Sequence, residues 1–476
     1  MQNSKNFNSD DQMSFATLSG DYNPIHTNPV LSRRLMFGEQ VVHGIHCLLW
    51  ALDYCVSKYK NPLFINSIDV NFIKPIKLNH EVKIEHIKKL KYSCEINIIT
   101  DNEIASKIKI TFEKYNLIEH NFIINGYPKK ESPKNIVLKD IKQQSGSIKL
   151  YLKKNILENN FPNLYKNLSH LHISVLLAST RIIGNKCPGL NSLYSGLKLS
   201  FKKYLTGKVI NYSVSEYDNT FKLVYIDIKG PEVQGYLKSF IRPTPTNQNS
   251  SSKLIKLIKN KEFLNQRVLV IGGSRGLGEI ATKLLSSGKA DVKFTYFRGK
   301  HDADIIKKNI NLAGNEVSSF QYDILNNDES ILIDKLGDWR PTHLYYFPTP
   351  FIFSGKKNKF SKFIFEEFYK YYLTGFYNIL KNESLTKTKF IFYPSSIALN
   401  ELPNNMIEYI LAKAAGESLC DFFEKNYKGM LIYKTRLPKL ETDQTVSLLP
   451  SFNDNTTNVI LNEIRLFNKK ISEKLN

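Results

Sequence analysis

Hydrophobic and polar positions change their period several times along the chain, and each change predicts a different element. From His43 to Tyr59 apolar residues fall at Ile45, Leu48, Leu49, Leu52 and Cys55, the spacing of one buried helix face. Alternating runs follow from Ser67 to Glu113, which predicts strands with one face turned inward. The same order returns further on. A helical run from Leu171 to Ile183 precedes strand-like runs around Leu197 to Lys202, Val209 to Val214, Phe221 to Ile228 and Gly235 to Ile241. Between the two lies a polar stretch from Pro128 to Ser147, and a second polar stretch without period, Thr244 to Ser252, reads as a linker. Beyond it a short apolar strand, Arg267 to Ile271, enters a glycine-rich turn and a helix. Strand and helix then alternate to about Leu437, the pattern of an α/β doubly wound parallel sheet. The last segment, Thr457 to Leu475, has helical spacing at Val459, Ile460, Ile464 and Leu466 and is expected to dock as a terminal helix. The predicted units are residues 1–127, 128–245, a linker over 246–262, and 263–476.

Composition changes this picture little. With 476 residues, more than one core is expected, and 42% hydrophobic residues suffice to fill them. A balance of 66 basic against 44 acidic residues gives a net charge of +22, which favours anionic partners such as phosphates or acidic carrier proteins. The lysines are spread over the whole chain, and no recognition helix, zinc-finger spacing or aromatic-basic signature accompanies them, so nucleic acid is not the expected partner. Cys47, Cys55, Cys94, Cys187 and Cys420 are scattered and form no CxxC pair, so neither a disulfide framework nor a metal site is expected, only core thiols. The first fourteen residues are polar, and no run approaches the ~20 apolar residues of a membrane helix. A cytoplasmic protein that does not bind membranes is expected.

Two constellations carry chemistry. In the first, Asp21 and His26 stand on a turn rich in Gly, Asn and Pro, where a carboxylate and an imidazole can hold one water between them. One member could take a proton from water and the other supply one to the α-carbon of a conjugated thioester; the residues alone do not say which. Gly44 opens the hydrophobic helix, where its backbone N–H and the helix dipole can meet an oxyanion. His43 and His46 are assigned structural or surface roles.

The segments Phe15 to Asp21, Asn23-Pro24, His26, Phe37-Gly38, Val42-His43-Gly44 and Phe72 to Pro75 resemble the MaoC-like, R-specific enoyl-CoA hydratases, a family of hot-dog fold, over roughly the first 115 residues. The resemblance implies that Asp21 and His26 are catalytic and that Gly44 binds the thioester carbonyl. The middle unit resembles a hot-dog domain more faintly, through Leu176 to Ser179, Cys187 to Gly189 and Ser192 to Tyr194. It has no Asp-to-His pair at that spacing. It is expected to complete a double hot dog and wall off an acyl tunnel, with no chemistry of its own.

In the second constellation, Gly272, Ser274, Arg275, Gly276, Leu277 and Gly278 lie between a strand and a helix, the context in which a glycine-rich turn holds a pyrophosphate. About twenty residues on, Arg298 stands where an acid would favour NAD, so Arg298 and Arg275 favour the 2′-phosphate of NADP(H). Tyr409 and Lys413 are one helical turn apart, and Ser396 precedes them. A tyrosine whose pKa a neighbouring lysine lowers could give a proton to a carbonyl as hydride arrives. From Gln266 to Thr445 the chain resembles the short-chain dehydrogenase/reductases, most of all their 3-ketoacyl reductases, a Rossmann family. The resemblance makes Ser396, Tyr409 and Lys413 the catalytic triad and Asp323 the acid at the adenine. It departs from the family at Phe347-Pro348-Thr349-Pro350, in place of Asn-Asn-Ala-Gly, at Tyr372, in place of an Asn, and after Pro438, where a glycine is missing.

The fold class expected is therefore multidomain, an α+β double hot dog followed by an α/β Rossmann domain. The function expected is NADPH-dependent reduction of a 3-ketoacyl thioester and dehydration of the (R)-3-hydroxyacyl product, or the reverse, in fatty-acid or polyketide-type metabolism. The thioester would be an acyl-CoA or an acyl carrier protein conjugate, and the protein a homodimer. The alternative is a hydratase whose reductase-like domain binds nucleotide without turnover.

Overall fold

The computed structural model describes residues 3–114, 124–126, 128–202, 207–230, 232–326, 328, 330–446 and 455–476. Among these the chain divides between Thr244 and Pro245 into two compact units.

The first unit is built on one antiparallel sheet. Its ten strands run in the order Ser4–Asn6, Glu81–Leu90, Ser93–Thr100, Glu103–Lys114, Leu63–Phe72, Ser192–Phe201, Val233–Ile241, Leu223–Lys229, Val209–Asp218 and Ser145–Lys149. Alternation decides which side each strand buries: in Ser93–Thr100, Cys94, Ile96 and Ile98 face inward while the residues between them are partly open. The helices Gly44–Val56 and His170–Arg181 pack into one continuous core, with Leu48, Leu49 and Leu52 from the first and Ile173, Leu176 and Leu177 from the second.

The two halves expected as separate domains thus share a sheet and a core. They meet where Leu63–Phe72 pairs with Ser192–Phe201, Ser67 opposite Ser200 and Asn71 opposite Gly196. Each of these strands follows its own half's central helix. Neither half closes its layer alone, because each would leave that strand with an unpaired edge. Residue 127, the last of the first predicted unit, lies outside the described residues.

In the second unit six parallel strands run in the order Val317–Gln321, Asp291–Tyr296, Arg267–Ile271, His343–Tyr346, Phe390–Ser396 and Leu431–Leu437. Numbered along the chain this is 3-2-1-4-5-6, the doubly wound order with its switch point beside the first strand. Both faces are covered. Val268 and Val270 point to one core with Ile280, Leu284 and Ile306, and Leu269 and Ile271 to the other with Phe376, Ile379 and Phe423. The helix Thr456–Leu475 docks through Ile460, Ile464 and Phe467.

The segment expected as a linker is instead part of this unit. Ser251–Leu254 is a short helix whose Leu254 is 1% exposed, Ser251 N–H donates to Asn309 Oδ1, and Asn249 Nδ2 donates to Thr457 Oγ1. Its polar groups are bonded to side chains on two helices of the unit, Lys300–Asn311 and Thr456–Leu475, although composition alone reads the segment as looseness. Among the described residues no helix is long and apolar enough to cross a membrane.

Candidate active sites

In the first unit the dyad sits between two short helical stops. Helix Ser9–Ser19, capped by a reciprocal Asn8–Asp11 box, ends at Gly20 in the left-handed conformation, φ 79°. That turn carries Asp21 inward, where it is 2% exposed. Asn23 caps the next helix, Pro24–Thr27, which carries His26.

His26 Nδ1 lies 2.8 Å from Val41 O. A carbonyl only accepts, so Nδ1 carries the proton and Nε2 keeps its lone pair. A carboxylate oxygen of Asp21 and ring nitrogens of His26 and His43 lie within 4.8 Å of one another. His43 is wholly buried and stacks on His26 with centroids 3.8 Å apart; its Nε2 lies 3.1 Å from Asp21 O and its Nδ1 2.9 Å from Gln12 Oε1. It is the residue before Gly44–Val56, and Gly44, first in that helix, has an N–H with no intrahelical acceptor. A Cβ at Gly44 would meet the Phe72 ring at 3.0 Å. Asp21, His26, Gly44, Phe72, Thr180 and Tyr194 are among the residues that line a cavity of about 230 Å³.

Burial raises the Asp21 pKa, against the pull of His26 and the hydrogen bonds from Thr180 and Asn23. It lowers that of His26, which Asp21 and the bond to Val41 oppose. A neutral imidazole beside a buried carboxyl results: the carboxyl is drawn up towards neutral pH, and the imidazole is held in the uncharged form that can accept a proton.

The middle of the chain, expected to wall the tunnel with no chemistry of its own, reaches the Asp21 carboxylate. Thr180 Oγ1 donates to Asp21 Oδ2 at 2.6 Å, both groups buried. Asn185 Nδ2 donates to Gly20 O, and Asn23 Nδ2 reaches the carbonyls of Gly184, Gly189 and Leu190. Gly184 packs against the carboxylate itself, where a Cβ would stand 2.3 Å from Asp21 Oδ1. No local signal could have found Thr180, which is 159 residues from its partner. His46, expected to have a structural or surface role, is 2% exposed and stacks on Phe15 at 4.6 Å, with Phe7 and Phe161 at its edges.

Thr180→Val tests the link between the halves. The lost hydrogen bond favoured the ionised carboxylate, so the Asp21 pKa rises further. An activity that needs ionised Asp21 then fails at higher pH as acid is added. We expect the acidic limb of the kcat/KM profile to move up by about one to two pH units, the equivalent of about 1.5–3 kcal/mol for a hydrogen bond to a charge.

In the second unit the strand Arg267–Ile271 leads into Gly272, φ 78°, and helix Gly276–Ser287 begins four residues later at a glycine of φ 57°. A Cβ at Gly278 would stand 2.2 Å from Gly272 O, so strand end and helix approach over bare backbone. Ser274 is buried, Leu277 leans on the core, and Arg275 is the extended residue before the helix. Arg298 lies over the Phe297 ring at 4.9 Å. Burial raises the Tyr371 pKa, Glu367 and Asp323 raise it further, and Arg298 and Arg275 lower it.

Ser396 ends the strand Phe390–Ser396, and Tyr409 and Lys413 stand on helix Ile407–Asn426. Burial raises the Tyr409 pKa, an effect that Ser396 partly offsets. The expected effect of Lys413 on Tyr409 is not what the structure holds. Lys413 Nζ donates to Pro394 O at 2.6 Å and lies 4.0 Å from the Tyr372 ring centroid, and burial brings its pKa down to about 7. Two of the three departures from the resembled pattern touch each other: Tyr372, on a π-turn over Lys370–Thr374, has its hydroxyl 2.5 Å from Thr349 Oγ1.

Residues 1–106 match the family model described as MaoC like domain. The MaoC-like domain thus contains Asp21, His26, His43 and Gly44, and Thr180 and Gly184 come from outside it. No curated protein matches the sequence. Among solved structures, FolM alternative dihydrofolate reductase 1 from Brucella canis, complexed with NADP, is 14% identical over 44% of this chain and 90% of that one, TM-score 0.36. The short chain dehydrogenase from Shigella flexneri is 14% identical over 44% and 87%, TM-score 0.39. A short-chain dehydrogenase/reductase from Serratia marcescens is 14% identical over 43% and 91%, TM-score 0.39. At these values the likenesses carry no argument, and the chemistry of the second unit rests on its own residues.

Proposed function

We propose that the first unit, read as a double hot dog with one working site, adds water to a trans-2-enoyl thioester or removes it from the (R)-3-hydroxyacyl form. The second unit interconverts that alcohol and the 3-ketoacyl thioester with NADP(H). The observation that carries the reading is the pair of buried Asp21 and partly buried His26, with His26 Nδ1 committed to Val41 so that only Nε2 is left to exchange protons.

In hydration, His26 Nε2 takes a proton from water as the oxygen bonds to the β-carbon, and ionised Asp21 orients that water. The electron pair displaced from the double bond moves to the thioester carbonyl, whose oxygen meets the Gly44 N–H at the helix start. The proton held by the pair then closes onto the α-carbon, and dehydration runs these steps backwards. The carrier is coenzyme A or an acyl carrier protein, either of which suits a chain of net charge +22.

The second unit has the donor set for a dinucleotide. Gly272, Ser274, Arg275, Gly276, Leu277 and Gly278 would hold the pyrophosphate over bare backbone, Arg298 and Arg275 the 2′-phosphate, and Asp323 the adenine. Bound NADPH supplies the hydride. Tyr409, held by Ser396, gives its hydroxyl proton to the substrate carbonyl oxygen. Arg298→Ala should lower the NADPH over NADH preference about 10- to 100-fold, the worth of a charge-assisted contact, as read from the ratio of kcat/KM values.

One observation favours a second reading. Lys413 is engaged by Pro394 O and the Tyr372 ring, and burial holds Tyr409 above its ordinary pKa, so the domain could bind nucleotide without turning over. Two assays on the purified chain separate the readings: hydration of crotonyl-CoA, and NADPH oxidation by acetoacetyl-CoA. Hydration with no NADPH oxidation selects the second reading, and absence of both overturns the proposal.

A further inference from the structure

The inner face of the first unit gathers three metal-binding side chains, two of them on strands where alternation calls for apolar residues. Cys94 stands in line with inward Ile96 and Ile98 on Ser93–Thr100, and His86 takes the inward place after Val82 and Ile84 on Glu81–Leu90. A register shift between His86 and Lys88 marks a bulge beside the histidine, the device by which a strand re-aims a side chain. Cys55 meets them from the last turn of helix Gly44–Val56. The sulfurs of Cys55 and Cys94 are 3.8 Å apart, Cys94 Sγ is 3.6 Å from His86 Nδ1, and one ligand atom from each of the three residues lies within 4.8 Å of the others.

Two of these separations match a tetrahedral ion. With metal–sulfur bonds of about 2.3 Å and a metal–nitrogen bond of about 2.0 Å, a tetrahedron sets neighbouring sulfurs about 3.8 Å apart and sulfur and nitrogen about 3.5 Å apart. We propose that Cys55, Cys94 and His86 bind Zn2+, with the fourth position taken by water from the partly exposed side of His86. Two thiolates and an imidazole suit Zn2+ over hard cations. Binding releases the thiol protons and requires the lone pair of His86 Nδ1, so the ring proton moves to Nε2. Lys58, whose Nζ now lies 3.2 Å from Nε2, is exposed and swings away at little cost. The site is distinct from the dyad, because Cys55 is eleven residues beyond Gly44, about 16 Å along the helix. A metal there fastens the far end of that helix to two strands.

The test is titration of the reduced full-length protein with Co2+, followed by Zn2+. One equivalent of Co2+ should give the visible bands of a tetrahedral site and a thiolate-to-cobalt charge-transfer band, both bleached by Zn2+, and Zn2+ should raise the Tm. His86→Ala, at a partly exposed position, and Cys94→Ser should each weaken binding at least 100-fold, whereas Cys420→Ser, in the other unit, should keep both bands. Thermal melts without metal establish that each variant is folded, and His86→Ala decides the matter if Cys94→Ser is not. Lack of a charge-transfer band in the parent, or bands that survive in folded His86→Ala, overturns the proposal.

Discussion

His26→Ala should reduce hydration of a short enoyl thioester by about a hundred- to ten-thousandfold, the usual contribution of a positioned acid-base group. Its KM should change little, since Nε2 serves the transition state more than substrate binding. The cause is specific. With Nδ1 fixed on Val41 O, the ring offers one exchangeable position, and alanine removes it while the core around Phe15 and Leu48 is left in place. Asp21→Asn should cost a similar factor by a different route: the amide keeps the shape, but its nitrogen can face the Thr180 hydroxyl that now donates to the carboxylate. Steady-state hydration followed by loss of enoyl absorbance reads both. NADPH binding by either variant, measured by fluorescence titration, should match the parent. A His26→Ala enzyme within threefold of the parent would remove the imidazole from the mechanism.

Tyr409→Phe should abolish NADPH oxidation by a 3-ketoacyl thioester, with a loss of about a hundredfold or more, and leave hydration unchanged. The hydroxyl is the only part removed, and the ring remains packed edge-on against Phe368 and Tyr372. Burial keeps the hydroxyl protonated well past neutral pH, so the parent reduction rate should stay flat through neutrality, with no basic limb from Tyr409 until alkaline pH. Such a profile would distinguish this tyrosine from one whose lysine neighbour depresses its pKa. Equal reduction rates for Tyr409→Phe and the parent would mean that another group delivers the proton.

Much of this was legible along the chain, and the failures share a cause. The parallel sheet could be read because each buried strand is a short apolar run followed by a helix, and because the glycines at the first turn have a steric role that spacing reveals. Asp21, His26 and Gly44 were legible for a similar reason: turn residues and a helix start locate them within a few tens of residues of each other. Thr180 and Gly184 were not, since only the closed sheet brings them to Asp21. For His46 the sequence left a structural and a surface role open, and the structure takes the structural one, its ring stacked on Phe15. For Tyr409 and Lys413 the four-residue spacing gave the right helix face but not the direction of the lysine, which the Pro394 carbonyl decides. Cys55, His86 and Cys94 come from a helix and two strands, so no interval between them could signal a ligand set.

The central seam of the first unit also sets an order of events during synthesis. Residues 67–71 must wait for residues 196–200, some 130 positions later, before their strand has both neighbours. Contacts of such separation form late, because loop closure precedes any gain from pairing. Until then a nascent chain carries an open strand edge at Leu63–Phe72, and Asp21 lacks both Thr180 and the Gly184 backbone. The MaoC-like segment is thus translated before the residues that complete it, and a ribosome-bound chain ending before residue 180 should expose an edge suited to chaperones and leave Asp21 without its hydrogen bond from Thr180.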